Sequence, residues 1–407
     1  GLFDGMTKAL ADEAVKAVVI TGLNRAFIAG ADISEFGAAA SEGVGLGEAL
    51  EIMENSTKPV IAAINGTAFG GGLETALCCD YRIAAPTAPV GLPEVKLGLL
   101  PGAGGTQRLP RLIGAQAALK AIVSGDPIMA PQAQKLGIVD RIAEGDIVEE
   151  GIKYAEEIVA AGSATRKIRD LTDKIAGDKG NTAVFENAAA QLNKTNRGQF
   201  APAQILKCVE AAVNADSFDA GMAVERECFA ACMQDPQREA LIHIFFAERA
   251  ANKIPGLSKD DPLIDINKGS VIGSGTMGGG IAMCFANAGI PVRLHDNNAE
   301  NLAKGLKVIE GNYARTVSKG RLTQEAMDKR MSLIIPTENF DDLGDADVVI
   351  EAVYENLDLK KEIFAKLDKV MKPGALLATN TSGLDVDAIA NMTSRPEFVC
   401  GMHFFSP

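Results

Sequence analysis

A short apolar segment ending in Val271-Ile272 runs directly into Gly273-Ser274-Gly275-Thr276-Met277-Gly278, and a helix-like stretch, Gly279 to Ala288, follows. Strand, tight glycine turn and helix in that order leave few folds open. A second strand, Pro291 to His295, ends at Asp296, about eighteen residues beyond the last glycine of the turn. That is the spacing of the acidic group that takes the adenosine ribose hydroxyls of a dinucleotide at the carboxyl edge of a doubly wound parallel sheet. Gly273 permits the turn, Gly275 lets backbone approach a pyrophosphate, and Gly278 allows close helix–strand packing. Thr276 and Met277 open the helix, where amides lack intrahelical acceptors. Asp296 would repel a 2'-phosphate, and Asn297 and Asn298 bring no positive charge to hold one. NAD is expected rather than NADP. The competing reading, a tight turn with no ligand, is the weaker one in this full context.

The α/β alternation continues through Ala346 to Ala352, Ala375 to Asn380 and Phe398 to Met402. Histidine is scarce: His243, His295 and His403. His403 follows the last of these strands, at the sheet edge where ligands of such folds bind. Taking hydride from a secondary alcohol needs a base for the hydroxyl proton, and imidazole titrates in the useful range. Ser382, in Asn380-Thr381-Ser382, ends the preceding strand and could hydrogen-bond the same hydroxyl. A hydrogen-bonded core histidine is an equally good reading of His403 on residue type alone. His295 precedes Asp296 and so faces the other way; it and His243 are assigned to structure.

A chain of 407 residues is too long for one ordinary core. A net charge of -13 argues against a nucleic-acid partner, which wants a basic face. Seven scattered cysteines with no CxxC fit reduced thiols, hence a cytoplasm of bacterial type or an equivalent reducing compartment. No apolar run reaches membrane-spanning length. The chain opens at Gly1 and stops at Pro407 inside a motif, so it is read as a piece of something longer.

The first part alternates short apolar strands, such as Ala17 to Ile20 and Val60 to Ile64, with Gly-rich loops and helices. Val60 to Ile64 runs through Asn65-Gly66 to Gly70-Gly71-Gly72-Leu73-Glu74, where a helix begins. Glu74 falls in its first turn, where the helix dipole favours an anion. Glu94 sits in the largely apolar Gly91-Leu92-Pro93-Glu94-Val95, where burial would favour the neutral acid. Two carboxyls pushed apart in this way make one base and one acid. The amides of Gly71 and of Ala31, in Ala29-Gly30-Ala31-Asp32, could hold a developing oxyanion. On residue type alone the blander alternative is commoner: Glu74 capping its own helix and Glu94 solvated in a loop. No histidine precedes residue 243, which excludes a His-based triad here. From about 160 to 258 the chain turns charged and helical, as in Thr165 to Leu171 and Gln237 to Ala251, with Asp235-Pro236 as a helix start.

Ala26 to Ile33, Asn65 to Leu77 and Gly91 to Arg108 resemble the crotonase family of enoyl-CoA hydratases and isomerases. Gly273 to Gly280, Glu351 to Leu357, Asn380 to Ser382 and His403 to Pro407 resemble the NAD domain of the L-3-hydroxyacyl-CoA dehydrogenases. The order of the two is that of the multifunctional enzymes of fatty-acid β-oxidation. The resemblance implies an α/β protein in three parts. Residues 1–160 would form a crotonase-type ββα spiral domain lacking its first strands, and 161–258 a helical linker region. Residues 259–407 would form a Rossmann NAD-binding domain whose C-terminal companion is absent. It further implies hydration of trans-2-enoyl-CoA, with Glu74 and Glu94 activating water and the Ala31 and Gly71 amides holding the thioester oxygen. Glu94 would also be the base for Δ3-Δ2 isomerisation. In the second half Asp296, Glu355 and Lys360 would contact NAD, Ser382 would orient the hydroxyacyl substrate, and His403 would be the base. The alternative is a chain active only as hydratase or isomerase, its second half a non-catalytic NAD-binding module. No metal is implied. Chain-length preference, self-association and a thiolase partner are left open.

Overall fold

The structure, a computed structural model, describes residues 1–33, 45–162, 165–251, 253–258 and 260–406. Pro407, the last residue of the His403 motif, lies outside them. The chain divides into two compact units, Gly1–Gly256 and Leu257–Pro407.

In the first unit successive strand pairs deliver one strand to each of two sheets. β1 (Val18–Thr21), β3 (Val60–Ile64), β5 (Tyr81–Ala84) and β8 (Arg141–Ile142) form a parallel sheet in the order β1-β3-β5-β8. β2 (Ala26–Ile28), β4 (Thr67–Phe69), β6 (Pro89–Gly91) and β7 (Ile128–Met129) form the other, with only the β6–β7 pair antiparallel. β3 is buried along its whole length, as an unbroken apolar run covered on both faces should be. The sequence reading ran from β3 straight to the glycine helix. The three-residue β4 lies between them, too short to leave a periodic signal. Gly66 permits the step from β3 to β4, because a β carbon there would sit 2.0 Å from the Arg25 carbonyl oxygen.

Residues 161–258 were expected to form a helical linker region; up to Gly256 they lie within the first compact unit. Ile205, Cys208 and Val209 of the helix Ala201–Asn214 and Cys232 of the helix Phe218–Gln234 lie in the same buried cluster as Val60, Ile64 and Leu73. The helical part therefore closes the first core. Thr165 to Leu171, expected to be helical, is extended apart from one 3-10 turn at Ile168–Asp170. Ionic ties draw it out. The Arg166 amide donates to Asp80 Oδ1 at 2.7 Å, its guanidinium reaches Asp140 at 2.6 Å, and Lys167 Nζ lies 2.9 Å from Asp80. Asp80 also accepts the Val60 amide at 2.9 Å, so this buried carboxylate joins the segment to the start of β3.

The second unit is a parallel six-stranded sheet in the order β11-β10-β9-β12-β13-β14. Its strands are β9 (Gly269–Ile272), β10 (Val292–His295), β11 (Ile334–Thr337), β12 (Val348–Glu351), β13 (Leu376–Thr379) and β14 (Val399–Gly401). The strand order reverses between β9 and β12, which opens a crevice at their carboxyl ends. β11 escaped the sequence reading because it carries Pro336; a proline strand is tolerated here at the sheet edge. Among the described residues no helix is long and apolar enough to cross a membrane.

Removing the Asp80 carboxylate would leave Lys167 and two amides without their acceptor in a buried place. Asp80→Ala is expected to cost about 3–5 kcal/mol in the denaturant unfolding of the first unit. A loss below about 1 kcal/mol would contradict this role for Asp80.

Candidate active sites

The helix Gly71–Cys78 begins where β4 ends. Gly70 turns the chain with φ +55°, and a β carbon there would sit 3.1 Å from Glu94 Oε1, so only glycine leaves room for that carboxyl. As the first residue of the helix, Gly71 has an amide with no intrahelical acceptor. Ile28 of β2 pairs with Ala68 of β4. Ala31 and Gly71, each three residues further on, therefore emerge at the same sheet edge. Gly30 approaches the Phe69 carbonyl there.

Glu74 is buried, and its carboxylate does not cap its own helix. Oε1 instead accepts the amides of Ala103 and Gly105, both at 2.8 Å, at the start of the helix Gly105–Ile113. The sequence reading had the dipole of the Gly71 helix holding this anion; the contacts are made with the next helix. Burial raises the Glu74 pKa, and the Gly105 and Ala103 amides and Arg108 only partly reverse this. Glu94 lies in the 3-10 turn Pro93–Leu97. Its Oε2 is buried and has no hydrogen-bond partner among the described residues. Burial, and then the charge of Glu74, push the Glu94 pKa well above the ordinary carboxylate range. The two acids are thus close enough to feel one another. Both acids are raised, Glu94 well above the ordinary range, and Glu94 Oε2 is left without a donor among the described residues.

A third carboxylate, Glu225 of the helix Phe218–Gln234, was missed. It lies far away in sequence, in a helix that looked like part of a linker. Its Oε1 accepts the Gly104 amide at 2.7 Å, and its Oε2 accepts the Thr106 amide at 3.2 Å and the Thr106 hydroxyl. Four consecutive amides, from Ala103 to Thr106, are therefore shared alternately between Glu74 and Glu225. Burial, and then Glu74, raise the Glu225 pKa to about 8. A buried glutamate in an otherwise charged helical stretch was the available signal, but sequence alone does not separate it from the exposed ones.

In the second unit the helix Thr276–Asn287 starts at Gly275. A β carbon at Gly278 would lie 1.7 Å from the Gly273 carbonyl oxygen, whereas one at Gly275 would meet nothing within 4 Å. Gly278 thus serves packing, and Gly275 leaves open space above the first helix amides, as a pyrophosphate requires. Asp296 ends β10 and accepts the Ser274 amide at 3.0 Å and hydroxyl at 2.6 Å. Burial works to raise its pKa, but these bonds and that from the Asn298 amide bring it below the usual value. An anion is thereby fixed at the strand end where ribose hydroxyls would lie. These residues fit a bound NAD.

A cavity of about 300 Å³ in the same unit is lined by Met277, Glu355, Asn380, Ser382, His403 and Phe404, among others. His403 is exposed within it. Glu355 accepts the Thr381 hydroxyl at 2.6 Å and the Ser382 amide at 2.9 Å. Burial would raise its pKa, yet the bonds from Thr381 and Ser382 and the charge of Lys360 carry it down to about 2. Lys360, expected to contact NAD, is not among the residues that line this cavity. It is buried beneath it, its Nζ 2.8 Å and 3.0 Å from the two oxygens of Glu351 and 3.4 Å from Glu355. The fully buried Glu351 needs that cation more than solvent-side groups do. Among the described residues no cluster of ligating side chains suits a metal.

Comparison with known proteins assigns a family to each part of the chain. The enoyl-CoA hydratase/isomerase family matches residues 1–201, and the 3-hydroxyacyl-CoA dehydrogenase NAD binding domain matches residues 268–407. The peroxisomal bifunctional enzyme of Cavia porcellus is 43% identical over 417 residues, covering 100% of this chain and 56% of that protein. Its counterpart in Homo sapiens is 42% identical over 408 residues, covering 99% and 56% respectively. A peroxisomal fatty acid beta-oxidation multifunctional protein of Arabidopsis thaliana is 37% identical over 405 residues, covering 97% of this chain and 56% of that protein. The chain spans about half the length of the curated relatives it matches. It belongs to the family in which an enoyl-CoA hydratase/isomerase half is fused to a 3-hydroxyacyl-CoA dehydrogenase NAD-binding domain.

Proposed function

We propose that the chain hydrates trans-2-enoyl-CoA to L-3-hydroxyacyl-CoA in its first unit and contributes the NAD-dependent oxidation to 3-ketoacyl-CoA in its second. The observation that carries the first step is the buried, unpartnered Glu94 Oε2 beside the amide-held Glu74. Water bound between the two acids gives a proton to Glu74 as its oxygen bonds to C3 of the acyl chain. Glu94 gives its own proton to C2, and the electrons of the double bond form that C–H bond by way of the enolate. The charge that builds on the thioester oxygen is taken by the amides of Gly71 and Ala31. An ionised Glu94 could also move a proton between C2 and C4, which is the Δ3-Δ2 isomerisation.

For the second step, bound NAD supplies the hydride acceptor. Asp296 would hold its ribose end, and the amides from Thr276 onward would meet its pyrophosphate. His403 takes the hydroxyl proton of the substrate, Ser382 hydrogen-bonds the same oxygen, and Glu355, anchored by Lys360, fixes Ser382 by its amide. Whether the second half turns over or only binds NAD is decided by assay. The seven free cysteines support a reducing compartment, a cytoplasm of bacterial type or its equivalent; the peroxisomal names belong to the relatives.

Glu94→Gln should slow the loss of crotonyl-CoA ultraviolet absorbance by about 100-fold or more, the usual effect of deleting a general acid–base group. A rate within a few-fold of the unsubstituted protein would refute the assignment. With Glu94 acting as a neutral acid, hydration should fall as pH rises through its raised pKa. A rate that keeps climbing into strongly alkaline solution would show that no such proton is used. His403→Ala should abolish NADH formation from 3-hydroxybutyryl-CoA and leave hydration intact; unchanged NADH formation would remove the base role.

A further inference from the structure

Glu225 has no part in the chemistry just described, yet it grips the same turn as Glu74. Its two oxygens take the Gly104 and Thr106 amides, and Oε1 of Glu74 takes those of Ala103 and Gly105. The side chain is fully buried. The Thr106 hydroxyl that donates to Glu225 accepts in turn from Gln107 Nε2 at 2.9 Å, and Gln107 also donates to the Cys208 carbonyl. A β carbon at Gly221, one helical turn before Glu225, would lie 2.2 Å from Gln107 Oε1. The Phe218 helix is thus pressed against the Gly105 helix so that this carboxylate reaches the amides. A cap of that kind needs no glutamate: a serine or asparagine would satisfy the amides without a buried charge.

We propose that Glu225 is a positioning residue of the hydratase site: it fixes the turn on which the Glu74 carboxylate rests, and so brings a further buried carboxylate to the amides beside the two acids that hydration uses. The proposal rests on the reading of Glu74 and Glu94 given above. The titratable and charged groups facing Glu225 are Glu74 on the Gly71 helix, Glu94 on its 3-10 turn, Arg108 on the Gly105 helix and Cys208 on the Ala201 helix. Glu74 and Glu94 share its sign. Repulsion from Glu225 adds to that from Glu74 in keeping Glu94 neutral. The effect grows as pH rises and Glu225 ionises.

The test is an infrared pH titration of the protein, following the carboxylic-acid C=O band that Glu94→Gln deletes. In Glu225→Gln, whose fold is checked by circular dichroism, the midpoint of that band should fall by roughly 0.5 pH unit or more. The alkaline limb of kcat for crotonyl-CoA hydration should move with it, while KM stays within about two-fold. Glu225→Asp, which keeps the charge, should restore the midpoint at least in part. If Glu225→Gln does not fold, Thr106→Val destabilises the same charge from its partner's side and should lower the midpoint too. A midpoint unmoved in whichever of these variants folds overturns the proposal. A shifted midpoint in a protein that does not hydrate crotonyl-CoA would leave the electrostatic link standing and sink the hydratase reading instead.

Discussion

Four successive amides at the start of one helix organise the first half of this molecule. A helix N-terminus offers free N–H groups and a partial positive charge, and it normally receives one side chain or a solvent cap. Here Ala103, Gly104, Gly105 and Thr106 receive two buried carboxylates, one from the helix after β4 and one from a helix more than a hundred residues later. Glu74 is anchored through Oε1, whose partners are both backbone amides, so its position depends on the turn rather than on a flexible side chain. Arg108, in the same helix, is fixed by a bidentate pair with the buried Glu54 and returns a bond to the Ala103 carbonyl. The turn is therefore braced on both sides. Glu94 takes no share in this support. Burial and the neighbouring Glu74 push its pKa well above the ordinary carboxylate range, and its Oε2 has no hydrogen-bond partner among the described residues; the proposed division of labour between the two acids rests on that difference in surroundings.

The second half relies on a different device. A parallel sheet whose order reverses between β9 and β12 leaves a crevice, and the turn after β9 must come close to both its own helix and the strand beside it. The positions where a β carbon would strike backbone, Gly273 and Gly278, build that turn; the one where it would strike nothing, Gly275, faces the crevice. Beneath the adjoining cavity the buried Lys360 and Glu351 form an ion pair that also takes the Thr379 hydroxyl and the Val353 amide. Such a pair adds little net stability but specifies one arrangement. The arrangement it specifies places Glu355 against Ser382.

Much of this was legible in the residues, and what was not failed for definable reasons. β3 and the strands of the second sheet were readable because a buried parallel strand is an unbroken apolar run. Gly70, Gly71 and Glu74 stood out as a glycine cluster followed by an acid at a helix start, although residue type alone favoured a plain helix cap, and the Ala103 and Gly105 amides that Glu74 binds lie about thirty residues further on. β4 was too short to register, and β11 was hidden by Pro336 at an edge that tolerates it. The segment Thr165 to Leu171 has helix-forming residues throughout, but each of its cations is claimed by a carboxylate elsewhere, and tertiary ties overrode local preference. Glu225 was missed because its burial depends on helices packing across more than a hundred residues of sequence, and Lys360, expected to contact NAD, is instead paired with the buried Glu351 nine residues before it.

The central claim is that Glu74 and Glu94 hold one water between them while the Gly71 and Ala31 amides hold the acyl oxygen. A crystal structure with an unreactive acyl-CoA bound addresses it directly. The account predicts a water within about 3 Å of a carboxylate oxygen of each glutamate, and the thioester oxygen at a similar distance from the two amides. A thioester lying elsewhere on the unit, or two carboxyl groups that face separate clefts with no shared water, would contradict it.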